Sequence, residues 1–209
     1  MELRPEYPVV TPRLRLRTPT LDDIADMLLY RGREDVCRFL PFPPMDEQVL
    51  TARINGDLGR TAIEAEGQNL TLLAERITDG RVVGDVMLMF KSETHRGGEI
   101  GWVFSPEVAG QGYATEAAAR VLGLGYEQLG LHRVIARVDA RNTPSARLAV
   151  RLGMRLEARF RENEFWHGEW ADECVYAMLE SEWPTSPAGS GSRPSSQSSS
   201  AAAGNGRER

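Results

Sequence analysis

The chain has 209 residues, 41% of them hydrophobic, and a formal net charge of −5 at pH 7. This length and hydrophobic fraction predict one folded domain with appendages rather than two domains. The acidic balance argues against a nucleic-acid-binding module, which normally carries a basic excess for phosphate contacts, so we expect no nucleic-acid partner.

The chain opens with a predicted strand followed by a helix. Residues 11–18 alternate apolar and basic side chains, which is the period of a strand. Thr20 or Asp22 then caps a helix that runs to about Tyr30. We expect these elements to begin a folded domain at residue 9, after an N-terminal extension of residues 1–8.

An irregular segment rich in proline and aromatic residues comes next. A proline cluster at positions 41–44 interrupts the chain before a second helical stretch, which begins at Asp46 or Glu47 and reaches about residue 59. The apolar group at 39, 40 and 42 has two interpretations. Phe39, Leu40 and Phe42 form either a hydrophobic plug in the core or part of a lid over an acceptor site.

Three strands are predicted in the middle of the chain. Residues 70–77 and 82–90 are apolar runs separated by an Asp-Gly turn, which is typical of an antiparallel hairpin. Residues 99–104 form the next strand. Its even-numbered, largely aromatic side chains share one side, and we expect that side to face the core.

Two glycines mark the turn between this strand and the following helix. Gly110 and Gly112 let successive amides point into one concavity, and the helix over about residues 115–129 presents its positive dipole end there. The turn therefore indicates a phosphate site, with an ordinary strand-to-helix turn as the alternative. A dinucleotide fingerprint fits poorly, because its third glycine falls on Thr115.

The C-terminal half is predicted to contain another strand and helix. Residues 132–138 alternate as a strand. Asn142 or Thr143 then caps a helix with Pro144 in its first turn, and Gly153 occupies the position of a C-terminal cap.

The last two predicted strands precede a tail of low complexity. The strands cover residues 154–160 and 173–179, with a polar, aromatic connection through residues 166–170. From Pro184 onward the composition offers almost nothing to bury, so it cannot offset the entropy of ordering. We therefore expect the domain to end at residue 183 and residues 184–209 to form a disordered tail.

The cysteines and the N-terminus exclude several other classes. Cys37 and Cys174 form no Cys-x-x-Cys motif and have no nearby histidine, so we expect neither a disulfide framework nor a metal site. Residues 1–17 lack the apolar core of a signal peptide, and no apolar run has membrane-spanning length. We expect a cytoplasmic protein with no membrane partner.

Four segments, in this order and at this spacing, carry a resemblance to a known family: residues 11–17, 99–117, 142–154 and 168–179. With them, the chain resembles the GNAT acetyltransferase superfamily over roughly residues 9–183, and specifically its RimJ/RimL-like branch. The resemblance implies an α+β fold, with a mostly antiparallel mixed sheet of about seven strands that is splayed in the middle and flanked by helices. It also implies acetyl-CoA as cosubstrate and a primary amine as acceptor.

The resemblance places the cosubstrate on two neighbouring stretches. The family's loop pattern of Gln or Arg, two residues, Gly, one residue, and Gly or Ala falls on Ala109, Gly112 and Ala114, and Ala109 departs from it. Backbone amides are implied to hold the pyrophosphate, at Ala109, Gly110, Gln111, Gly112, Tyr113, Ala114 and Thr115. The pantetheine arm is implied to pair with the strand before the loop, at Trp102, Val103 and Phe104, where a β-bulge would free an amide for the thioester oxygen.

Three residues on the following elements extend the implied cosubstrate site. The amide of Asn142 would bind the pantetheine, and a plain helix cap is the alternative role for this residue. Arg147 and Arg151 lie four residues apart on one helix and could reach the 3′-phosphate; solvated surface arginines are the alternative.

The implied chemistry is direct attack of the amine in a ternary complex, which needs neither cysteine as nucleophile. Glu99 is the candidate base, directly or through water, because it lies on the strand beside the thioester; a solvated glutamate is the alternative. The acid position used by many GNAT enzymes holds Ala149, whereas the serine proposed for the RimJ/RimL branch falls on Ser145. A capping role in the first helical turn is the alternative for Ser145.

Aromatic residues in the last strand connection leave one more choice open. Trp166, His167 and Trp170 either line the floor of the acceptor cleft or pack at a sheet edge, and His167 is a second option for the base.

The acceptor is expected to be a protein N-terminal α-amine, of the ribosomal-protein type. An α-amine titrates near 7.7 to 8.0 and a lysine near 10.4, so freeing a lysine amine at neutral pH costs about 3 kcal/mol more. The alternatives are a small amine such as an antibiotic or polyamine, a non-catalytic CoA-binding module, and a structural interaction protein that uses the serine-rich tail. A homodimer is left open.

Overall fold

The structure is a computed structural model that describes residues 1–189, and it centres on one eight-stranded sheet. The strands are β1 (Val9–Val10), β2 (Leu14–Arg17), β3 (Asn69–Arg76), β4 (Val82–Ser92), β5 (Gly97–Phe104), β6 (Arg133–Asp139), β7 (Arg155–Trp166) and β8 (Glu169–Leu179). Their spatial order is β1-β2-β3-β4-β5-β6-β8-β7, and the β5–β6 pair is parallel within an otherwise antiparallel sheet. The expected α+β architecture is confirmed, with eight strands instead of about seven.

Helices cover both faces of the sheet. They are α1 (Ile24–Arg31), α2 (Glu34–Cys37), α3 (Glu47–Ile54), α4 (Tyr113–Gly123), which continues as a π-helical turn over Leu124–Gln128, and α5 (Thr143–Leu152). The larger hydrophobic core lies between the sheet and the side chains of α4 and α5. A smaller core lies between β3, β4 and β5 and the helices α1 and α3. The sheet is therefore buried on both sides near β4 and β5.

Several helices and strands form where the local sequence predicted them. The β3–β4 hairpin is confirmed, with Leu72 opposite Val86. Asp46 caps α3 by accepting a hydrogen bond from the amide of Val49 at 2.8 Å. Asn142 caps α5 in the same way. These elements were predictable because a capping or turn residue and the apolar period agree within a few residues.

The structure differs from the sequence prediction in its shortest elements and in its last hairpin. The two-residue β1 and the four-residue α2 are too short to show the hydrophobic periodicity of a strand or a helix. The expected long connection between β7 and β8 is wrong, because both strands continue to a two-residue turn at His167-Gly168. These two residues have φ values of 53° and 80°, as a type I′ turn requires.

The sheet splays between β5 and β6. The two strands pair only from Gly97 with Arg133 to Glu99 with Ile135. Beyond that point β5 continues to Phe104 and β6 continues to Asp139 without pairing to each other. The backbone edge of β5 after Glu99 is therefore open toward β6.

Both chain ends of the described region pack on the domain. Leu3 exchanges two backbone hydrogen bonds with Ile63, at 2.8 and 2.9 Å. Trp183 is buried and donates from Nε1 to Glu127 at 2.9 Å, and Ser186 and Ala188 are also buried. The remainder of the predicted disordered tail, residues 190–209, lies outside the described residues. Across residues 1–189, no helix combines the length and the apolar character that crossing a membrane would require.

Candidate active site

A cleft of about 1540 Å³ opens where β5 and β6 separate. Its walls come from the end of β5, the loop before α4, the facing sides of α4 and α5, and the segment around α2. Most of the sequence-predicted cosubstrate residues line it, namely Trp102, Val103, Phe104, Ala109, Gly110, Gly112, Ala114, Thr115, Asn142 and Arg147, together with Ser145 and Arg151. Gln111 and Tyr113 are not among the lining residues. The cleft thus brings together residues that are up to 49 positions apart, from Trp102 to Arg151.

The loop before α4 forms the predicted amide concavity. Gly110 and Gly112 have φ values of 78° and 82°, in the left-handed region that favours glycine. Within residues 1–189, the amides of Gly112, Tyr113, Ala114 and Thr115 find no hydrogen-bond acceptor, as is normal for the first turn of a helix. Unpaired amides at the positive end of a helix dipole favour an anion.

Thr11 and Arg13, in the connection between β1 and β2, form a clasp that the sequence analysis missed and that holds this loop in place. Arg13 donates from Nη1 to the Gln111 carbonyl at 2.8 Å and from Nε to Glu116 at 2.6 Å, and it lies over the Tyr113 ring at 4.6 Å. Thr11 also donates to Glu116, at 2.6 Å. The clasp residues Thr11, Arg13 and Glu116 themselves line the cleft. The partners of the clasp are about a hundred positions apart, so no local pattern could have revealed it.

Three arginines give the cleft a local positive charge. Arg120, Arg147 and Arg151 line it, and none of them forms a salt bridge with any residue from 1 to 189. Arg151 donates from Nε to Thr115 Oγ1 at 3.4 Å, which holds its guanidinium beside the amide concavity. Most other arginines of the described region are paired with carboxylates, so the unpaired trio is available to an anionic ligand.

The end of β5 presents open backbone groups to the cleft. Ser105 donates its amide to Val83 on the β4 side at 2.9 Å. Because hydrogen-bonded pairs alternate along an antiparallel ladder, the backbone groups of Trp102 and Phe104 point to the opposite side, where β6 has separated. The expected bulge at Trp102–Phe104 is wrong: the β4–β5 register is regular there and shifts only between Phe90 and Ser92. The splay itself exposes the backbone groups that a bulge was expected to free.

Ser145 faces Trp102 across the cleft. Trp102 Nε1 donates to Ser145 Oγ at 3.3 Å, and the Ser145 amide donates to Asn142 Oδ1 at 3.1 Å. The Asn142 side chain is therefore the helix cap, the plain alternative, while its residue also lines the cleft. Because Trp102 occupies an acceptor position on Oγ, the hydroxyl hydrogen of Ser145 is available to donate.

Glu99 is not brought to the cleft. Its carboxylate lies 3.4 Å from the Lys91 ammonium, and its position is the last one on β5 that still pairs with β6. It is three residues before Trp102, or about 10 Å along an extended strand. The geometry gives no support to its proposed role as the base.

The segment between α1 and α3 forms part of the cleft wall. We call residues 32–44 the lid segment; Asp35, Val36, Phe39 and Leu40 of this segment line the cleft. Its tip reaches the β7–β8 turn, where the Leu40 carbonyl lies 3.0 Å from His167 Nε2. Phe39 and Leu40 line the cleft, as the lid interpretation requires, while Leu40 and Phe42 pack against the smaller core, as the plug interpretation requires.

The aromatic residues of the β7–β8 tip do not form a cleft floor. Trp166, His167 and Trp170 are absent from the lining. Trp170 is 60% exposed and packs against Phe165 at a ring distance of 5.2 Å, which is the sheet-edge alternative.

Among residues 1–189, no cysteine or carboxylate that lines the cleft or neighbours a lining residue is arranged as a strong nucleophile or base. Burial raises the pKa of the Cys37 thiol, which donates to the Arg31 carbonyl, so the thiol stays protonated at neutral pH. Among the lining carboxylates of residues 1–189, Asp35 is paired with Arg33 and Glu116 with Arg13, and Glu127 accepts from Trp183. The hydrogen bond from Arg33 lowers the pKa of Asp35, which makes this carboxylate a weaker base.

Comparison with known proteins identifies the family and the fold. The family model described as "Acetyltransferase (GNAT) domain" matches residues 13–155. The chain belongs to the GNAT acetyltransferase family. A structure of a GNAT-family acetyltransferase from Bacillus anthracis matches this GNAT domain with a TM-score of 0.73 and 31% identity, over 87% of this chain and 100% of the other. The match to the family and its structures makes the protein an acyltransferase enzyme, specifically an N-acetyltransferase.

Sequence relatives of this GNAT protein carry different acceptor descriptions. "Uncharacterized N-acetyltransferase YnaD" of Bacillus subtilis (strain 168) is 34% identical over 175 residues, covering 84% of this chain and 98% of its own length. The "Putative ribosomal N-acetyltransferase YdaF" of the same organism is 29% identical over 105 residues, or 50% of this chain and 57% of its own. "Spermidine N(1)-acetyltransferase" of Escherichia coli (strain K12) is also 29% identical, over 101 residues, or 47% of this chain and 54% of its own.

Proposed function

We propose that this GNAT enzyme is a RimJ/RimL-like N-acetyltransferase that moves an acetyl group from acetyl-CoA to the α-amine of a protein N-terminus. The observation that carries the proposal is found in one cleft: within residues 1–189, the amides at the start of α4 are unpaired and three arginines lack carboxylate partners. That combination supports a ligand with several phosphates, as the nucleotide part of CoA has.

The residues present fit acetyl-CoA along the whole cleft. The amides of Gly112 to Thr115 would hold the pyrophosphate, and Arg147 and Arg151 would take the 3′-phosphate. The open backbone of Trp102 and Phe104 would pair with the pantetheine amides, as an added strand does. When bound, the cosubstrate supplies an activated acetyl thioester, and it would place that thioester near Ser145 and the lid segment.

Positioning and one proton donor are the main contributions of this chain. The cleft would hold the amine and the thioester in attack geometry, which can supply several kcal/mol of the barrier reduction. Ser145 would donate its hydroxyl hydrogen to the departing sulfur, with Trp102 fixing the orientation of Oγ. The attacking amine would lose its proton to water, since the lining carboxylates are already occupied by donors. Water would return a proton to Ser145 Oγ, so that the hydroxyl is restored.

In the part of the chain that the structure describes, every lining carboxylate already has a donor, and this supports an acceptor amine with a low pKa. An α-amine is partly neutral at pH 7.5 without help, whereas a lysine or polyamine amine needs a base. The partial match to a protein described as a ribosomal N-acetyltransferase agrees with this choice. A polyamine is the second candidate, favoured by the match to a spermidine acetyltransferase.

Calorimetry with a matched pair of glycine variants tests the amide concavity. A Cβ at Gly112 would lie 3.3 Å from Arg13 Nη2 and would force a side chain into the left-handed region, so Gly112→Ala should weaken acetyl-CoA binding about tenfold, which is about 1.4 kcal/mol. Gly67→Ala is the control, because its φ of 86° is similar and nothing lies within 4 Å of its Cβ. Equal affinity for the two variants would contradict the proposed phosphate site.

The acceptor class is tested by thiol release with peptides and small amines. We expect turnover with peptides that carry a free α-amine, little with Nα-blocked lysine peptides or spermidine, and a kcat/KM that rises with pH up to the pKa of the acceptor amine. Preference for spermidine would select the second candidate. Binding of acetyl-CoA without thiol release for any amine would favour a non-catalytic module. If the enzyme is active, a screen of cellular N-terminal acetylation would identify its natural acceptors.

A further inference from the structure

A buried ion pair lies next to the cleft but takes no part in the chemistry described above. Arg31, the last residue of α1, donates from Nε and Nη2 to the carboxylate of Asp85 on β4, at 2.8 and 2.7 Å. The side chains are 5% and 1% exposed, and the Tyr30 hydroxyl donates to the same carboxylate at 2.8 Å. Such a group is costly to desolvate, and an apolar replacement is often at least as stable. Stability alone is therefore a weak explanation for this pair.

Arg31 is the point where both ends of the lid segment meet. Gly32 follows it in the chain, and at the other end the Met45 amide donates to the Arg31 carbonyl at 2.9 Å. The Cys37 thiol, inside the lid segment, donates to the same carbonyl at 3.4 Å. The guanidinium lies 5.5 Å from the centre of the Phe42 ring. A displacement of Arg31 would therefore move the base, the helix α2 and the apolar plug of the lid segment together.

Asp85 lies on the strand next to the cleft wall. It lies directly opposite Val103 in the β4–β5 register, and Val103 lines the cleft between Trp102 and Phe104. Val103 also packs with Tyr30 in the smaller core. The ion pair thus joins the base of the lid segment to the strand that would hold the thioester.

We propose that the Arg31–Asp85 pair is a positioning device that sets the height of the lid segment above β5 and so determines which amines reach the thioester. This inference rests on the proposed function of the cleft. Arg31 and Asp85 are positioning residues, because they act through the lid segment and Val103 rather than by touching substrate. The bidentate geometry matters, since two parallel hydrogen bonds fix an orientation that a single charge contact does not.

The decisive comparison uses an apolar replacement and a conservative one. In Y30F/R31M/D85L all three polar groups are removed together, so no buried charge or hydroxyl is left without a partner. We expect this variant to unfold cooperatively and to bind acetyl-CoA within about twofold of wild type. Its kcat/KM for peptide amines should fall at least tenfold, with a raised acceptor KM and a broader preference for amine size. R31K keeps the positive charge but loses the two parallel hydrogen bonds of the guanidinium. It should change kcat/KM and the acceptor KM in the same directions, but by less.

The control is R53K, the same substitution in the pair that Arg53 of α3 forms with Asp57 just after the helix. Neither residue lines the cleft, so R53K should leave acceptor kinetics unchanged. A second readout needs no turnover: in R31K, hydrogen exchange of amides 32–45 should accelerate while that of β3 stays constant. Wild-type acceptor kinetics in the folded triple variant, or unchanged lid exchange in R31K, would overturn the positioning role. An inactive wild type that fails to bind acetyl-CoA would overturn the proposed function instead, and the exchange result would still decide whether the pair holds the lid segment.

Discussion

At the scale of single residues, Gly84 determines where the cleft wall lies. It is opposite Phe104 in the register, and a Cβ there would lie 2.4 Å from the Phe104 ring and 2.6 Å from the Val103 carbonyl. Gly84→Ala should therefore displace the end of β5, at a cost of about 1–3 kcal/mol in stability. We expect the dissociation constant for acetyl-CoA to rise about tenfold in calorimetry. Gly101→Ala is the control on β5, since its Cβ would meet only the flexible end of Met87 at 3.5 Å; equal losses in both variants would contradict this account.

The hydroxyl of Ser145 gives a second prediction at this scale. If it donates to the departing sulfur, Ser145→Ala should lower kcat by about 10²-fold, the lower end for general acid catalysis, with little change in acetyl-CoA affinity. Thr143→Val removes a hydroxyl from the same helical turn at a residue outside the cleft lining, and it should keep kcat near wild type. Steady-state kinetics would refute the acid role if both variants had the same kcat.

At the scale of elements, the sequence predicted those helices and strands whose stabilising contacts lie close together along the chain. The caps of α3 and α5 and the β3–β4 turn lie within a few residues of the elements that they begin or connect, so the sequence revealed them. The long β7–β8 hairpin was missed because its turn depends on His167 in a left-handed conformation, which histidine tolerates better than most residues but does not signal. The lid segment has no period, and its position depends on contacts to β4 and to the β7–β8 tip.

The turn that begins α1 carries a prediction about pH. Burial disfavours the Asp23 carboxylate, but hydrogen bonds from Arg17 and from the Thr20 amide outweigh it and lower its pKa. The unfolded chain therefore binds this proton more readily, so the stabilisation is present above the ordinary aspartate pKa of about 3.9 and is lost as the pH falls through the lowered value. In the Asp23→Asn variant, Tm should fall less steeply than in wild type as the pH drops below about 4, which is the acid limb of the curve of Tm against pH. Asp22→Asn, at its exposed neighbour, should leave that limb as steep as in wild type, and equal flattening would contradict the assignment.

At the scale of the whole molecule, the C-terminal boundary can be tested by truncation. We propose that the domain extends to Gly189, because Ser186 and Ala188 are buried and Ser186 accepts from the Gly189 amide at 2.9 Å. Deleting residues 184–209 should therefore lower Tm by about 3 °C, the equivalent of roughly one lost hydrogen bond, and should weaken acetyl-CoA binding. Deleting only residues 190–209 should change neither quantity. Identical calorimetric scans of the two truncations would restore the boundary at residue 183.

The cleft as a whole was only partly predictable. The resemblance located the loop, the strand and the α5 residues, because those positions belong to continuous motifs. It could not locate the Arg13–Glu116 clasp or the Arg31–Asp85 pair, whose members are 103 and 54 positions apart. It also placed Glu99 beside the thioester, whereas the strand register puts this residue before the splay and next to Lys91. Local motifs shape the loop and the helix cap of this site, and long-range pairing sets how these parts lie relative to one another.

Lys91, the partner of Glu99, is the single lysine of the chain, and the other 24 residues of the combined lysine and arginine count are arginines. Guanidinium groups stay protonated at physiological pH and are poor nucleophiles toward thioesters. A protein that binds an acetylating reagent can be acetylated on its own side-chain amines, and in this chain the Lys91 side chain is the one ε-amine. Its charge pattern, and with it the pairing network that shapes the cleft, should survive prolonged exposure to acetyl-CoA with at most one ε-acetyl mark detectable by mass spectrometry.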